Sequence, residues 1–169
     1  MTPGRRGVPH PVRMDWLEQL QVVGTVGYAM LLGGAVGFDR ERRNRPAGFR
    51  THMLVAGASA LLVGMGRLMV AERMGADATS VLRIDPLRLV EAVVAGVAFI
   101  GAGTIFNQRR GAGITGITTA ASLLMVAMVG IAAGLHYHVV ALAATLLTLL
   151  VLAGLKVVER RMERRDGDR

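Results

Sequence analysis

The polar side chains of this 169-residue chain that could do chemistry lie at the ends of its long apolar runs. The first run ends at acidic and basic residues. The second run begins with a basic residue, a hydroxyl residue and a histidine. An amide closes the third run and hydroxyl residues open the fourth. The candidate functional polar cluster is Asp39, Arg40, Glu41, Arg50, Thr51, His52, Asn107, Thr118, Thr119 and Ser122.

Carboxylate, hydroxyl and amide oxygens are the ligands that hard cations such as Mg²⁺ accept. Asp39 and Glu41 are therefore candidate metal ligands, with Mg²⁺ as a possible ion and no other cofactor indicated. An acid at a span end and an arginine across the following turn are costly if half-buried and unpaired. We therefore expect Asp39 and Arg50 to pair.

Simpler explanations remain open for the same residues. Asp39 and Glu41 could instead pair with Arg43 and Arg45 four residues later, on an extension of the first helix. His52 could be an interface histidine whose hydrogen bonds are satisfied. Hydroxyl side chains on a membrane helix often bond only to the carbonyl four residues earlier.

The elements that must position these side chains are five apolar runs at residues 20–38, 51–70, 90–106, 114–135 and 139–158. A spanning helix needs about 17–25 mostly apolar residues. The sequence therefore predicts an all-α fold, a polytopic transmembrane helix bundle of about five spans. We expect an extracytoplasmic tail at 1–16, the membrane domain at 17–158 and a charged cytoplasmic tail at 159–169.

The distribution of basic residues predicts the orientation of this bundle. Segments on one side of the predicted spans carry thirteen Lys and Arg residues, whereas segments on the other side carry six. Short loops rich in Lys and Arg stay in the cytoplasm. We therefore expect a multi-pass protein of the bacterial inner membrane, with its N-terminus outside and its C-terminus cytoplasmic.

Composition excludes several classes of function. The chain has no cysteine, so disulfides and thiolate metal sites are excluded. A net charge of +8 would suit nucleic-acid binding, but the positive charge here flanks hydrophobic spans, so the lipid bilayer is the expected partner. There is no phosphate-binding loop, and no motif indicates an enzyme. The first residues lack the order of a cleavable signal peptide, and we expect the first span to remain as an anchor.

Small residues recur at four-residue spacing in the predicted spans. Such residues let helices approach closely in lipid. They would serve tight packing within the bundle, or contact with a second copy or another membrane protein. The pairs and triplets are Gly33 with Gly37, Ala56 with Ala60 and Gly64, Ala92 with Gly96, and Gly130 with Gly134. The dense glycines of the third span, Gly96, Gly101 and Gly103, suggest close approach of a neighbouring helix or an ion.

Three segments resemble the MgtC/SapB family of bacterial membrane proteins. Residues 37–41 (GFDRE) with 46–55 (PAGFRTHMLV) resemble its first signature. Residues 96–105 (GVAFIGAGTI) resemble its glycine-rich third span, and residues 116–123 (GITTAASL) resemble its fourth-span motif. The chain departs from the family pattern at Asp39, where glutamate is more usual, and at Ala95, Ala98 and Leu124.

The resemblance implies an inner-membrane protein linked to magnesium homeostasis and growth at low magnesium. We expect an accessory or regulatory role, which the absence of acids at mid-membrane favours over a carboxylate-lined ion path. The alternative is a small secondary transporter or channel-like protein for Mg²⁺ or another cation. Larger family members also carry a soluble C-terminal domain, and we do not expect functions that depend on it here.

Overall fold

The computed structural model of the protein describes residues 16–74, 85–106 and 116–166. These residues form five helices, and no strand occurs in these three ranges. Each helix coincides with one of the five predicted apolar runs, which confirms the all-α fold. The helices are α1 Trp16–Glu41, α2 Phe49–Met74, α3 Pro86–Phe106, α4 Ile117–Gly134 and α5 His138–Asp166.

Length and composition make four of these helices suitable to cross a membrane. They are all of α1, Phe49–Ala71 of α2, Pro86–Ile105 of α3 and all of α4. In the part of α5 whose side chains the structure describes, the apolar segment is shorter, His138–Gly154. Large apolar side chains that face outward along the helices, such as Leu31, Phe99 and Leu150, then face lipid.

Helix α4 lies at the centre of the bundle, because it alone contacts all four other helices. Helix α1 packs most extensively on α2, while α3 and α5 lie at the flanks. The core is built from small and branched side chains of α1, α2 and α4. Its most buried members include Ala29, Val36, Ala56, Leu123, Val126 and Ala127.

Small residues bring the backbones of α1, α2 and α4 together. A Cβ atom added at Gly33 of α1 would lie 2.6 Å from the His52 carbonyl oxygen of α2. A Cβ added at Gly130 of α4 would meet the carbonyl oxygen of Ala56, also on α2. The four-residue spacings in these helices therefore serve packing within the chain, the simpler of the two roles expected for them.

A short turn at residues 42–48 reverses the chain between α1 and α2. Asn44 adopts a positive φ of 51°, a backbone conformation that asparagine tolerates better than most residues. Pro46 then prevents the helix from continuing, because proline has no backbone N–H to donate. The carbonyl of Gly48 accepts the first bond of α2, from the backbone N–H of His52. The end of α1 and the start of α2 therefore lie side by side.

Candidate functional site

The predicted polar cluster centres on a buried arginine at the end of α1. Arg40 is only 4% exposed, and its Nη2 donates a hydrogen bond of 2.8 Å to Oγ1 of Thr119 on α4. Its Nε is buried and has no hydrogen-bond partner. A buried guanidinium in a membrane helix is expensive, because it leaves water without a full set of acceptors. Such residues are therefore functional candidates.

His52 of α2 lies beside this arginine and is fully buried. Its Nδ1 lies 2.9 Å from the carbonyl oxygen of Gly48, and its Nε2 lies 3.1 Å from Oγ of Ser122 on α4. Because a carbonyl only accepts, Nδ1 carries a proton. The Ser122 hydroxyl also lies 2.8 Å from the carbonyl oxygen of Thr119, so with a neutral imidazole its single proton has two acceptors.

Arg40, His52, Thr119 and Ser122 form what we term the buried polar network. Its hydrogen bonds join α1 to α4 and α2 to α4, at the end of the bundle where α1 ends and both α2 and α4 begin. All four residues are 4% exposed or less. Inside a protein such bonds are stronger than in water, and an unpaired member is costly. The network therefore fixes the mutual position of three helices.

Asp39 lies next to Arg40 but forms an ion pair with Arg43. The Asp39 Oδ1 atom accepts bonds of 2.9 Å and 3.1 Å from the Arg43 guanidinium, one helical turn later. Among the side chains that the structure describes, which exclude those of residues 72–74, 106 and 155–166, this is the only ion pair. Asp39 therefore pairs with Arg43 on the same helix, which was the simpler of the two explanations. The expected pair with Arg50 is not formed, and the Arg50 side chain is exposed.

Glu41 has a structural contact that its sequence position did not reveal. Its Oε2 accepts a 2.8 Å hydrogen bond from the backbone N–H of Phe49, the first residue of α2. The first four N–H groups of a helix lack partners within that helix, so Glu41 satisfies one of them. Thr51 follows Arg50 in the same turn of α2 and is half-buried.

The described residues contain no group of three or more His, Asp, Glu or Cys side chains placed to hold a metal ion. Asp39 directs one oxygen to Arg43, although its Oδ2 is buried without a partner. Glu41 directs one oxygen to a backbone N–H. The assignment of these two acids as metal ligands stays a prediction.

The hydroxyl residues of α4 divide between two faces. Thr119 and Ser122 point into the buried polar network. Thr118 is exposed and lines an apolar groove with Leu147 and Val151 of α5. Asn107, the remaining member of the predicted cluster, lies outside the described residues.

The three glycines singled out in α3 also differ in their surroundings. A Cβ added at Gly101 would lie 3.2 Å from the Cβ of Ala120, so this glycine packs against α4. Gly96 and Gly103 have no atom within 4 Å of such a Cβ. They lie seven residues apart and so share the outward face of α3.

The chain segment around the network is strongly basic. Residues 39–50 include five arginines and two acids. Arg42 places its guanidinium 5.7 Å from the ring centre of Phe38, an exposed side chain. A site of this charge suits an anionic group or a partner's acidic surface better than a free cation, since like charges repel.

A second polar group at the opposite end of the bundle escaped the sequence interpretation. Glu18 and Gln21 of α1, Arg67 of α2 and His136 of the α4–α5 turn line one small cavity of about 130 Å³. Partial burial, Arg67 and His138 together lower the pKa of His136. The sequence contained one indication of this polar group, Arg67, which is the only arginine inside the second apolar run. No sequence pattern related Arg67 to Glu18.

The long apolar helices define a multi-pass helical membrane protein. One end of its bundle is basic and contains a buried arginine that is hydrogen-bonded within the protein. The model of the MgtC family matches residues 26–161. The chain therefore belongs to the MgtC family, a family of bacterial membrane proteins.

Relatives in several bacteria agree with this family. The chain is 34% identical over 152 residues to protein MgtC of Brucella abortus, covering 89% of this chain and 58% of that protein. It is 36% identical over 124 residues to the "Putative magnesium transporter YhiD" of Escherichia coli, covering 73% and 55%. It is 40% identical over 139 residues to protein SrpB of Synechococcus elongatus, covering 78% and 73%. No solved structure matches the chain.

The chain spans 63% of the length of a Haemophilus influenzae relative and 55% of the Escherichia coli relative.

Proposed function

We propose that this protein supports magnesium homeostasis or adaptation to low magnesium from the bacterial inner membrane, in an accessory or regulatory role. Family membership and the name of the Escherichia coli relative support the link to magnesium. The observation that carries the regulatory role is Arg40, a buried guanidinium that joins α1 to α4. A path for Mg²⁺ at this end of the bundle would have to pass that positive charge.

The side chains of the buried polar network also suit a change in helix positions better than the passage of an ion. Its four side chains offer a guanidinium, an imidazole and two hydroxyls, and they bond to one another. Mg²⁺ dehydrates reluctantly and prefers carboxylates in a nearly octahedral arrangement. A change in the network would instead move α1, α2 and α4 relative to one another, which a membrane partner could sense.

The surface for such a partner lies on α3. The small-residue pairs of α1 and α4 are used in packing within the chain, whereas Gly96 and Gly103 lie on an open face of α3. We assign contact with a second copy or another membrane protein to this face. The proposed orientation, with the N-terminus outside and the C-terminus cytoplasmic, places the buried polar network at the cytoplasmic end.

Transport of Mg²⁺ is the alternative, and the name of the Escherichia coli relative favours it. Two measurements separate the two roles. One is growth at limiting magnesium of a bacterium that lacks its own family member, and the other is Mg²⁺ entry into liposomes containing only the purified protein. We expect the protein to restore growth without raising Mg²⁺ entry above that of protein-free liposomes.

Variants of two arginines sharpen this test. Arg40→Gln removes the buried charge, and Arg42→Gln removes a neighbouring charge outside the network. We expect Arg40→Gln alone to abolish growth rescue while the protein remains folded in detergent. Saturable Mg²⁺ entry by the wild type, kept in Arg42→Gln and lost in Arg40→Gln, would establish transport and overturn the regulatory proposal.

A further inference from the structure

An apolar cavity of about 430 Å³ lies between α2, α3 and α4, at the end of the bundle opposite the buried polar network. This volume falls within the range of about 300–1,000 Å³ that is usual for sites that hold small ligands. Its lining is almost wholly aliphatic. Members of that lining include Val63 and Val70 of α2, Leu89 and Val90 of α3, and Ile131 of α4.

Arg67 connects this cavity with the small polar cavity described above, because its side chain lines both. Its Nη1 donates one bond of 3.3 Å to the carbonyl oxygen of Gly134. A guanidinium has five N–H donors, and the others of Arg67 have no partner among the described residues. The side chain is also exposed, so a ligand can reach it.

The small cavity supplies an acid beyond this arginine. Glu18 lines the small cavity and not the apolar one, and it forms no ion pair with Arg67 in the described structure. His136 completes the wall, and burial, Arg67 and His138 lower the pKa of its imidazole. The lowered pKa favours the neutral imidazole, and the site also holds one cationic side chain, Arg67, and one acidic side chain, Glu18.

We propose that these two cavities together bind one zwitterionic phospholipid with a primary ammonium headgroup, such as phosphatidylethanolamine. One of its two acyl chains lies in the apolar cavity and the other in the surrounding bilayer, the phosphate binds Arg67, and the ammonium binds Glu18. The sequence of apolar, positive and negative surfaces in the protein matches the sequence of chain, phosphate and ammonium in the lipid. This site is separate from the buried polar network and independent of the role proposed for it.

Charge favours this lipid over its relatives. A phosphate accepts charge-assisted hydrogen bonds from a guanidinium, which are stronger than neutral ones. A primary ammonium has three N–H donors for the Glu18 carboxylate, whereas the trimethylated ammonium of phosphatidylcholine has none. Phosphatidylglycerol carries the phosphate without a cation, so Glu18 would repel its net negative charge.

Native mass spectrometry of the full chain, released from detergent, tests the site. The protein is titrated with phosphatidylethanolamine, phosphatidylcholine and phosphatidylglycerol of identical acyl chains, and the first binding step is compared. We expect phosphatidylethanolamine to bind most tightly. Arg67→Gln should weaken all three lipids about tenfold, because the bond to the phosphate is lost. Glu18→Gln should weaken only phosphatidylethanolamine, roughly threefold, as expected for an exposed ion pair.

Two control variants remove charge nearby without touching either cavity. Arg88→Gln and Glu91→Gln change exposed side chains of α3 that line neither cavity, and neither should alter lipid binding. A second pair tests the acyl site. Val70→Phe narrows the apolar cavity and should weaken all three lipids, whereas Met69→Phe, at the neighbouring exposed position outside its lining, should not.

Several results would overturn the proposal. Equal first-step binding of the three lipids would do so, and so would tighter binding of phosphatidylglycerol. Equal losses in Arg67→Gln and Arg88→Gln would show that only general surface charge matters. If Arg67→Gln does not fold, the variants Arg67→Lys and Glu18→Gln still test the proposed lipid site. Loss of the phosphatidylethanolamine preference in Glu18→Gln, with binding kept in Arg67→Lys, supports the site, and an unchanged preference refutes it.

Discussion

The hydrogen bond between Arg40 and Thr119 should be among the strongest side-chain contacts in the bundle. Thr119→Val keeps the shape of the side chain and removes the acceptor 2.8 Å from Nη2 of Arg40. Both residues are nearly fully buried, so water does not replace the lost partner. Hydrogen bonds to charged groups contribute about 1.5–3 kcal/mol to stability. Side-chain bonds in a membrane protein average about 0.6 kcal/mol, with a maximum near 1.7. We therefore expect Thr119→Val to lower the free energy of unfolding by about 1.5 kcal/mol.

A double-mutant cycle separates this bond from other effects of the substitution. Arg40→Met removes the buried charge and its unsatisfied Nε together, and replacing a buried ionic group by an apolar one is often neutral. In the Arg40→Met background, Thr119→Val should then change the free energy of unfolding only slightly. The coupling energy between the two positions should therefore be about 1.5 kcal/mol. The measurement is unfolding in mixed micelles with increasing denaturing detergent. A coupling energy below about 0.5 kcal/mol would show that the bond does not stabilise the bundle.

Three further predictions follow from the fold and the charges. Single cysteines introduced at Arg45 and Thr79 should be labelled from the cytoplasm and from outside respectively, because basic loops stay inside; labelling of position 79 from the cytoplasm would reverse the orientation. Gly130→Val should destabilise the protein by about 1–3 kcal/mol in the same unfolding assay, because its Cβ would meet a carbonyl oxygen of α2, whereas Gly96→Val on the open face should cost less than about 0.5 kcal/mol. Folding lowers the pKa of His136, so the unfolded chain binds a proton more readily than the folded protein. The free energy of unfolding should therefore decrease as the pH drops through the ordinary histidine range. In His136→Gln, the melting temperature should decrease less over the same pH range.

The sequence predicted the helices because their apolar runs are long and their breaks are marked by proline and charge. It also placed Arg40, His52, Thr119 and Ser122 at one end of the bundle, since alternate span ends meet on one side. In the structure these four side chains lie at one end of the bundle and are linked by hydrogen bonds. The orientation of that end in the membrane stays a prediction.

The partners of individual polar side chains could not be read from spacing. Asp39 had two candidate arginines, and the choice depends on the path of the turn, which brings the backbone of Phe49 to Glu41 and leaves Arg50 exposed. Thr118 and Thr119 are adjacent in sequence, so they point about 100° apart on a helix. Periodicity alone could not say which of the two faces Arg40, because that depends on the rotation of α4.

The rotation of α4 is held at both of its ends by arginines from other helices. Arg40 of α1 bonds to Thr119 in the first turn, and Arg67 of α2 bonds to the carbonyl of Gly134, the last residue. These two attachments are about 22 Å apart along an α-helix. Turning α4 by the angle of a single residue would break both bonds together. A movement of α4 relative to α1 must therefore break the bond at Thr119, and a movement relative to α2 must break the bond at Gly134.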